Sequence, residues 1–303
     1  MALTEQALPK YKAVPGPDLS KPWQESFPDL PKDEMDPLEK QRIFGGDIAR
    51  IGELFSEKGL SIPPNLLDRL LVLGEESYAI VFQEFHEGQP LVPGFSITEL
   101  GMGFVSKKVI EEEAKDDNLE FADILRAYGI HELLHCLEFS EMWESTDTDD
   151  DDYINVRRRG WLTARPTDNN DEAEDRLLRT NGLAMLEEGF IDYLTMKITN
   201  LDDKIYVSYP GEIKVIKYLV DQFGSDELFF QAEFTRHGLR ELKNKMDELF
   251  GEQGLSVFGL MYKKYEDKAQ EKPGELFWLD YDEVLEALKS LRIQKITEEE
   301  SAA

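Results

Sequence analysis

Over residues 118–139, Ile124, Tyr128, His131 and His135 recur at spacings of four, three and four, which sets them on one face of a helix. After Pro63 and Pro64, the positions Leu66, Leu67, Leu70 and Leu71 share a face in the same way and predict another helix. YAIVFQEF, which follows, has the aromatic and β-branched composition of a strand. The stretch GFSITELGMGFVSKKVI, from Gly94 to Ile110, reads as one or two further strands punctuated by glycine. A small sheet is therefore expected just before the 118–139 helix.

Local punctuation places the remaining elements. Asp36, Pro37 and Glu39 form a helix start, with a capping carboxylate, proline in the first turn and an acid at the third position; this helix is expected to run to about Lys58 and stop at Gly59. YINVRRRGWLTARP reads as a short hairpin turning near Arg159 and Gly160. Helices are expected over 172–198, with a break near Asn181 and Gly182, over Pro210–Phe223, over Asp226–Phe250, and from Tyr281 onward. Seven of the fourteen prolines fall within the first 37 residues, so residues 1–36 are read as an extended arm, which Trp23 and Phe27 can dock onto a body formed by residues 37–303. Such an arm is a candidate cover for a cleft.

Composition narrows the function classes. The net charge of −29 disfavours nucleic-acid binding through phosphates and attachment to anionic membranes, because both need clustered Lys and Arg. No run approaches the roughly 18 to 20 apolar residues of a membrane span, and the start lacks a basic-then-apolar leader, so a cytoplasmic location is expected. The single cysteine, Cys136, agrees with a reducing compartment. The acidic run ESTDTDDDD lacks the spaced ligands and glycine of a calcium loop and is read as a solvated turn.

Two of the four histidines stand in HELLHCLEF, His131 and His135, one helical turn apart. That spacing points both imidazoles at one place and suits zinc, while Glu132, about 100° round the helix, can take a proton from a metal-activated water without ligating. In LAMLEEGFIDYL, Glu188 is a candidate third ligand. Asp192, four residues on, is placed to accept a hydrogen bond from the far nitrogen of a ligating histidine. Glu187 precedes Ile191 at the same spacing and is assigned instead to a packed face; Gly189 is read as the place where this helix closes on the HELLH helix.

HELLH followed by EEGF resembles the gluzincins, the zinc peptidase clan that includes thermolysin and the aminopeptidase N relatives. The resemblance covers about a third of the chain. It implies zinc, one ion per chain, held by His131, His135 and Glu188, with Glu132 as general base and Asp192 supporting a ligand. It also implies an α+β, zincin-like fold, with a small mixed sheet, an active-site helix and a mainly helical C-terminal part, the cleft lying between about 37–140 and 141–303. The spacer of 52 residues between His135 and Glu188 is longer than in those two families, and Glu187 replaces a common asparagine. A GxMEN peptide is absent, which favours an endopeptidase acting on a peptide or protein substrate. In SYPGEIKVIKYL, Tyr209 is a candidate oxyanion donor, with His237 as its competitor. GMGFVSKK is a candidate for pairing with an extended substrate. The alternative is a non-catalytic zinc-binding regulatory or interaction module of the same fold.

Overall fold

A computed structural model describes residues 11–14, 18–19, 21–86, 89–97, 100–145, 154–159, 162–163, 186–201, 209–235, 237–251, 254, 257–258 and 281–302. Their apolar side chains sort into two clusters on opposite faces of a three-stranded mixed sheet built from β2 (Leu70–Leu73), β3 (Gly94–Ile97) and β4 (Met102–Ser106). The order is β2-β4-β3, with β2 parallel and β3 antiparallel to β4. Side chains of a strand alternate between faces, so Leu70, Val72 and Val105 enter the larger cluster while Leu71, Leu73, Phe95, Ile97, Met102 and Phe104 enter the smaller.

The larger cluster is helical. It takes Phe44, Ile51 and Phe55 from α2 (Pro37–Glu57), and Ile124, Ile130 and Leu134 from α5 (Phe121–Cys136), which follows α4 (Lys107–Asp116). Further residues come from α6 (Glu187–Thr199), α7 (Pro210–Phe223), α8 (Glu227–Phe234), α9 (Gly238–Phe250) and α10 (Tyr281–Ala302). The molecule is thus mostly helical with a small mixed sheet, an α+β arrangement. A second, antiparallel sheet of order β1-β5-β6-β7 joins β1 (Tyr11–Val14), β5 (Ser140–Ser145), β6 (Ile154–Arg159) and β7 (Leu162–Thr163). No helix among the described residues is long and apolar enough to cross a membrane.

Several expected elements are present. In α2, Asp36 accepts hydrogen bonds from the N–H groups of Leu38 and Glu39, and the chain leaves the helix through Gly59 at φ +75°. β6 and β7 form the expected hairpin, pairing Arg159 with Leu162. The acidic run beyond Ser145 and the expected helix over 172–185 lie outside the described residues.

Others are corrected. Leu70–Leu73 is a strand preceded by a single 3-10 turn, Leu66–Arg69, and YAIVFQEF belongs to the helix α3 (Glu75–Phe85). A strand buried on both faces is a continuous apolar run, which periodicity alone does not separate from a buried helix. In α3 the acids Glu75 and Glu76 favour the helix N-terminus, and Tyr78, Val81 and Phe82 at i, i+3 and i+4 bury one face, which overrides strand propensity. The strand expectation for Gly94–Ile110 holds as far as Ser106, whose side chain caps α4. Asp226–Phe250 is two helices, broken where Thr235 turns extended. At Gly238 an added Cβ would lie 2.0 Å from the Gln231 carbonyl carbon, so α9 crosses α8 at a distance that glycine alone permits.

The arm is built into the fold. Trp23, in the short helix α1 (Trp23–Ser26), is 5% exposed within the smaller cluster, and Phe27 packs beside it. Arg69 donates to the carbonyls of Asp18 and Lys21, and Glu34 N–H donates to Val72 C=O along β2. Trp23 and Phe27 lie in the cluster on the sheet face opposite the one that holds the apolar side chains of α5, so Trp23 closes a core and does not sit over the HELLH helix. Trp23→Ala should therefore cost about 3 to 5 kcal/mol of stability in denaturant unfolding, the range for deleting a buried aromatic side chain. A loss below about 1 kcal/mol would show that the arm rests on the surface.

Candidate metal centre

Helix α5 carries the motif into the interior: all residues from Gly129 to Cys136 are buried. Close approach makes this possible. A Cβ on Gly129 would meet the Phe44 ring at 2.5 Å and Leu70 at 2.9 Å, and one on Gly103 of β4 would lie 2.9 Å from the Cβ of Glu132. Gly94 of β3 leaves the space taken by the Glu132 carboxylate, whose Oε1 lies 2.8 Å from where its Cβ would be. Two strands thus lack side chains where the motif glutamate needs room.

Helix α6 lies along α5 in the opposite sense, since Arg126, His131 and His135 meet Thr199, Asp192 and Glu188 in turn. At the far end, Arg126 grips the buried Asp47 of α2 through two hydrogen bonds, of 2.8 and 3.0 Å, and donates to Thr199 C=O at 3.0 Å, closing the C-terminus of α6. At the near end Glu188 Oε2 lies 3.1 Å from His131 Nε2 and 3.2 Å from His135 Nε2, and the two Nε2 atoms are 3.0 Å apart. The histidines are buried, while the Glu188 side chain is 36% exposed, so the group opens toward solvent on its carboxylate side.

The outer nitrogens are also engaged. Asp192, fully buried, accepts from His131 Nδ1 at 2.8 Å through Oδ1, and from the Tyr209 backbone N–H at 3.1 Å through Oδ2. One carboxylate therefore sets both the His131 ring and the start of α7. The Tyr209 ring stacks on His131, with centroids 6.4 Å apart and planes inclined by 19°. His135 Nδ1 contacts Glu138 Oε1, an acid just beyond the helix end.

These contacts polarise the group strongly. Burial works to lower the His131 pKa, but hydrogen bonds to Asp192 and Glu188 outweigh it and push it up to about 10. His135 is likewise held well above its ordinary value, burial being outweighed by Glu138 and Glu188. For Glu188, burial would raise the pKa, yet the two histidines hold it well below the usual carboxylate range. Burial and the charges of Glu188, Asp192 and Glu132 raise the Tyr209 phenol, which stays a hydrogen-bond donor at neutral pH. The carboxylates thus create a demand for positive charge at the point where the two Nε2 atoms meet.

The chain matches no family model, no curated protein and no solved structure.

The structure brings together His131, His135, Glu188 and Asp192, with Glu132 on the same helix turn and Tyr209 against His131. His237 stays apart: it is exposed at the N-cap of α9, and no hydrogen bond or ring contact among the described residues joins it to the group. Two local readings change. Gly189 faces α7, where an added Cβ would lie 2.2 Å from Glu212 Cβ, so it serves the α6–α7 crossing and not the approach to α5. Glu187 is buried, as a packed position would be, but its carboxylate also comes within 4.8 Å of ligand atoms of His135 and Glu138. Glu138 itself was legible as an acid at i+3 from His135, one residue beyond the helix cap.

The two glycines that face Glu132 should respond differently. In Gly94→Ala the new methyl group meets the mobile end of a side chain, so stability should change little while the Glu132 carboxylate is displaced. In Gly103→Ala it meets Cβ and main chain, 2.9 to 3.4 Å away, so α5 must lift from β4 and stability should fall by about 1 to 3 kcal/mol. Unfolding curves for the two variants check this, and equal stability would contradict the close packing of α5 on β4.

Proposed function

We propose that the chain is a zinc-dependent peptidase of gluzincin type with a zincin-like fold, hydrolysing peptide bonds within a chain. The observation that carries this reading is the convergence of His131 Nε2, His135 Nε2 and Glu188 Oε2 into a triangle with sides of 3.0 to 3.2 Å beside Glu132. The donor set fits zinc: bonds of about 2.0 to 2.1 Å at tetrahedral angles put ligand atoms about 3.4 Å apart, close to this triangle. Zinc bound there would supply a Lewis acid that polarises a carbonyl and acidifies water.

The side chains divide the remaining work. Glu132 accepts the proton of the attacking water and returns it to the leaving amine. Tyr209, protonated and held by its own N–H on Asp192, donates to the oxygen that gains charge as the carbonyl is attacked. Its place against His131 favours it over the exposed His237. The strand that would pair with an extended substrate is β3 and not GMGFVSKK: β4 has neighbours on both sides, whereas β3 ends the sheet order and carries Gly94 beside Glu132.

Protein purified without chelator should carry close to one equivalent of zinc, lost in His131→Ala and His135→Ala; full retention in both would sink the site. Glu132→Gln should keep the zinc and lose about 100- to 10,000-fold in cleavage of an unfolded protein. Zinc retained with no cleavage by the wild type under any condition would favour the non-catalytic module. Because His131 holds its proton up to about 10 in the metal-free protein, zinc must displace that proton. Affinity should therefore rise with pH up to about 10, near tenfold per unit for each histidine proton displaced, and calorimetry at neutral pH should record proton release.

Tyr209→Phe should lower the turnover rate about 100-fold with little change in zinc content or substrate affinity. A larger loss in His237→Ala would transfer the oxyanion role to that residue.

A further inference from the structure

The reading of His131, His135 and Glu188 as a metal group assigns an orienting carboxylate to His131 and leaves the second histidine without one. The structure supplies it from an unexpected place. Glu138 lies past the C-cap of α5, in a turn held by its N–H to His135 C=O at 3.3 Å and by Phe139 N–H to Glu233 C=O of α8 at 3.0 Å. Its side chain is fully buried, and Oε1 meets His135 Nδ1. A carboxylate accepts and does not donate when ionised, so His135 directs its Nδ1 hydrogen at Glu138 and leaves Nε2, facing His131 Nε2 and Glu188, as the nitrogen whose proton a metal would replace.

We propose that Glu138 is a positioning residue that fixes the tautomer and ring orientation of His135 for metal binding. The two histidines are then braced by different elements: His131 by Asp192 of α6, and His135 by the turn that joins α5 to β5. Glu187, with its carboxylate within 4.8 Å of ligand atoms of both His135 and Glu138, closes the same pocket from the first turn of α6. A brace on α5's own turn keeps His135 in place independently of how α6 sits, whereas the brace of His131 arrives with the helix that also carries Glu188.

The inference rests on the metal reading, and one set of measurements separates them. Zinc affinity, the visible spectrum of the cobalt-substituted protein and the melting temperature of the metal-free protein are compared for wild type, Glu138→Gln and Glu138→Leu. Glu138→Leu should weaken zinc about 10- to 100-fold and alter the cobalt spectrum, and Glu138→Gln, which keeps an oxygen acceptor, should recover much of the affinity. If Glu138→Leu fails to fold, Glu138→Ala takes its place, with the same expected loss of zinc affinity and change of cobalt spectrum; wild-type values of both in that variant would overturn the proposal. Wild-type affinity in both variants overturns the role of Glu138 and leaves the metal site standing; no zinc in the wild type overturns the metal reading itself. A second equivalent of zinc in the wild type, lost in both Glu138→Gln and Glu187→Gln, would overturn positioning in favour of an ion held between these acids.

Discussion

Burying the last two turns of α5 is the constraint around which the other elements are arranged. Those turns carry His131, Glu132 and His135 in an otherwise apolar interior, and polar groups taken from water cost free energy unless they are bonded again. Each neighbour answers part of that cost. α6 brings Asp192 to one histidine and Glu188 to both, the turn after α5 brings Glu138 to the other, and β3 and β4 give up side chains where Glu132 lies. The start of α7 follows in turn, because the second oxygen of Asp192 takes the Tyr209 N–H. Positions that look like separate features of the fold are successive steps in satisfying one buried polar face.

The pairing does not end in neutrality. Glu132, Glu138, Glu187, Glu188 and Asp192 surround two histidines, and the histidines respond by holding protons far above their ordinary range. Two cations side by side, with Nε2 atoms 3.0 Å apart, are a poor solution, since each raises the energy of the other. A divalent cation in the same place would supply the charge at one point and release both protons, which is the electrostatic reason the metal reading suits this group better than a structural hydrogen-bond network.

What the chain reveals before folding follows the range of the interaction. The HELLH spacing and the Asp36 cap were legible because helix geometry alone relates those residues. Glu188 and Asp192 were legible through the same one-turn relation, and they meet α5 in the register that relation implies. Leu70–Leu73 and Tyr78–Phe85 exchanged their expected states because each is decided by what packs against it: a sheet with cores on both faces for the first, an aromatic cluster on one face for the second. Glu138 was legible as an acid at i+3, but its role was hidden for a different reason. It stands outside the helix whose period drew attention to His135, and its role depends on a turn anchored by Glu233, nearly a hundred residues away.

Trp23 of the arm and the motif helix, although on opposite faces of the sheet, are linked through β3. Phe95 is locked into the smaller cluster, stacked on Phe104 at 4.9 Å and edge-on to Tyr78 at 5.5 Å, and Trp23 closes that cluster. The residue before it, Gly94, sets the space available to the Glu132 carboxylate. A shift of β3 on its aromatic bed is therefore transmitted to the proposed base and not to the histidines, whose positions are fixed by α6 and by the Glu138 turn. Cores are close-packed and change by discrete repacking, so the arm acts as part of the scaffold that holds Glu132 in register. Damage to the arm should accordingly lower catalysis while leaving metal retention intact, whereas removing a cover over the cleft would raise it.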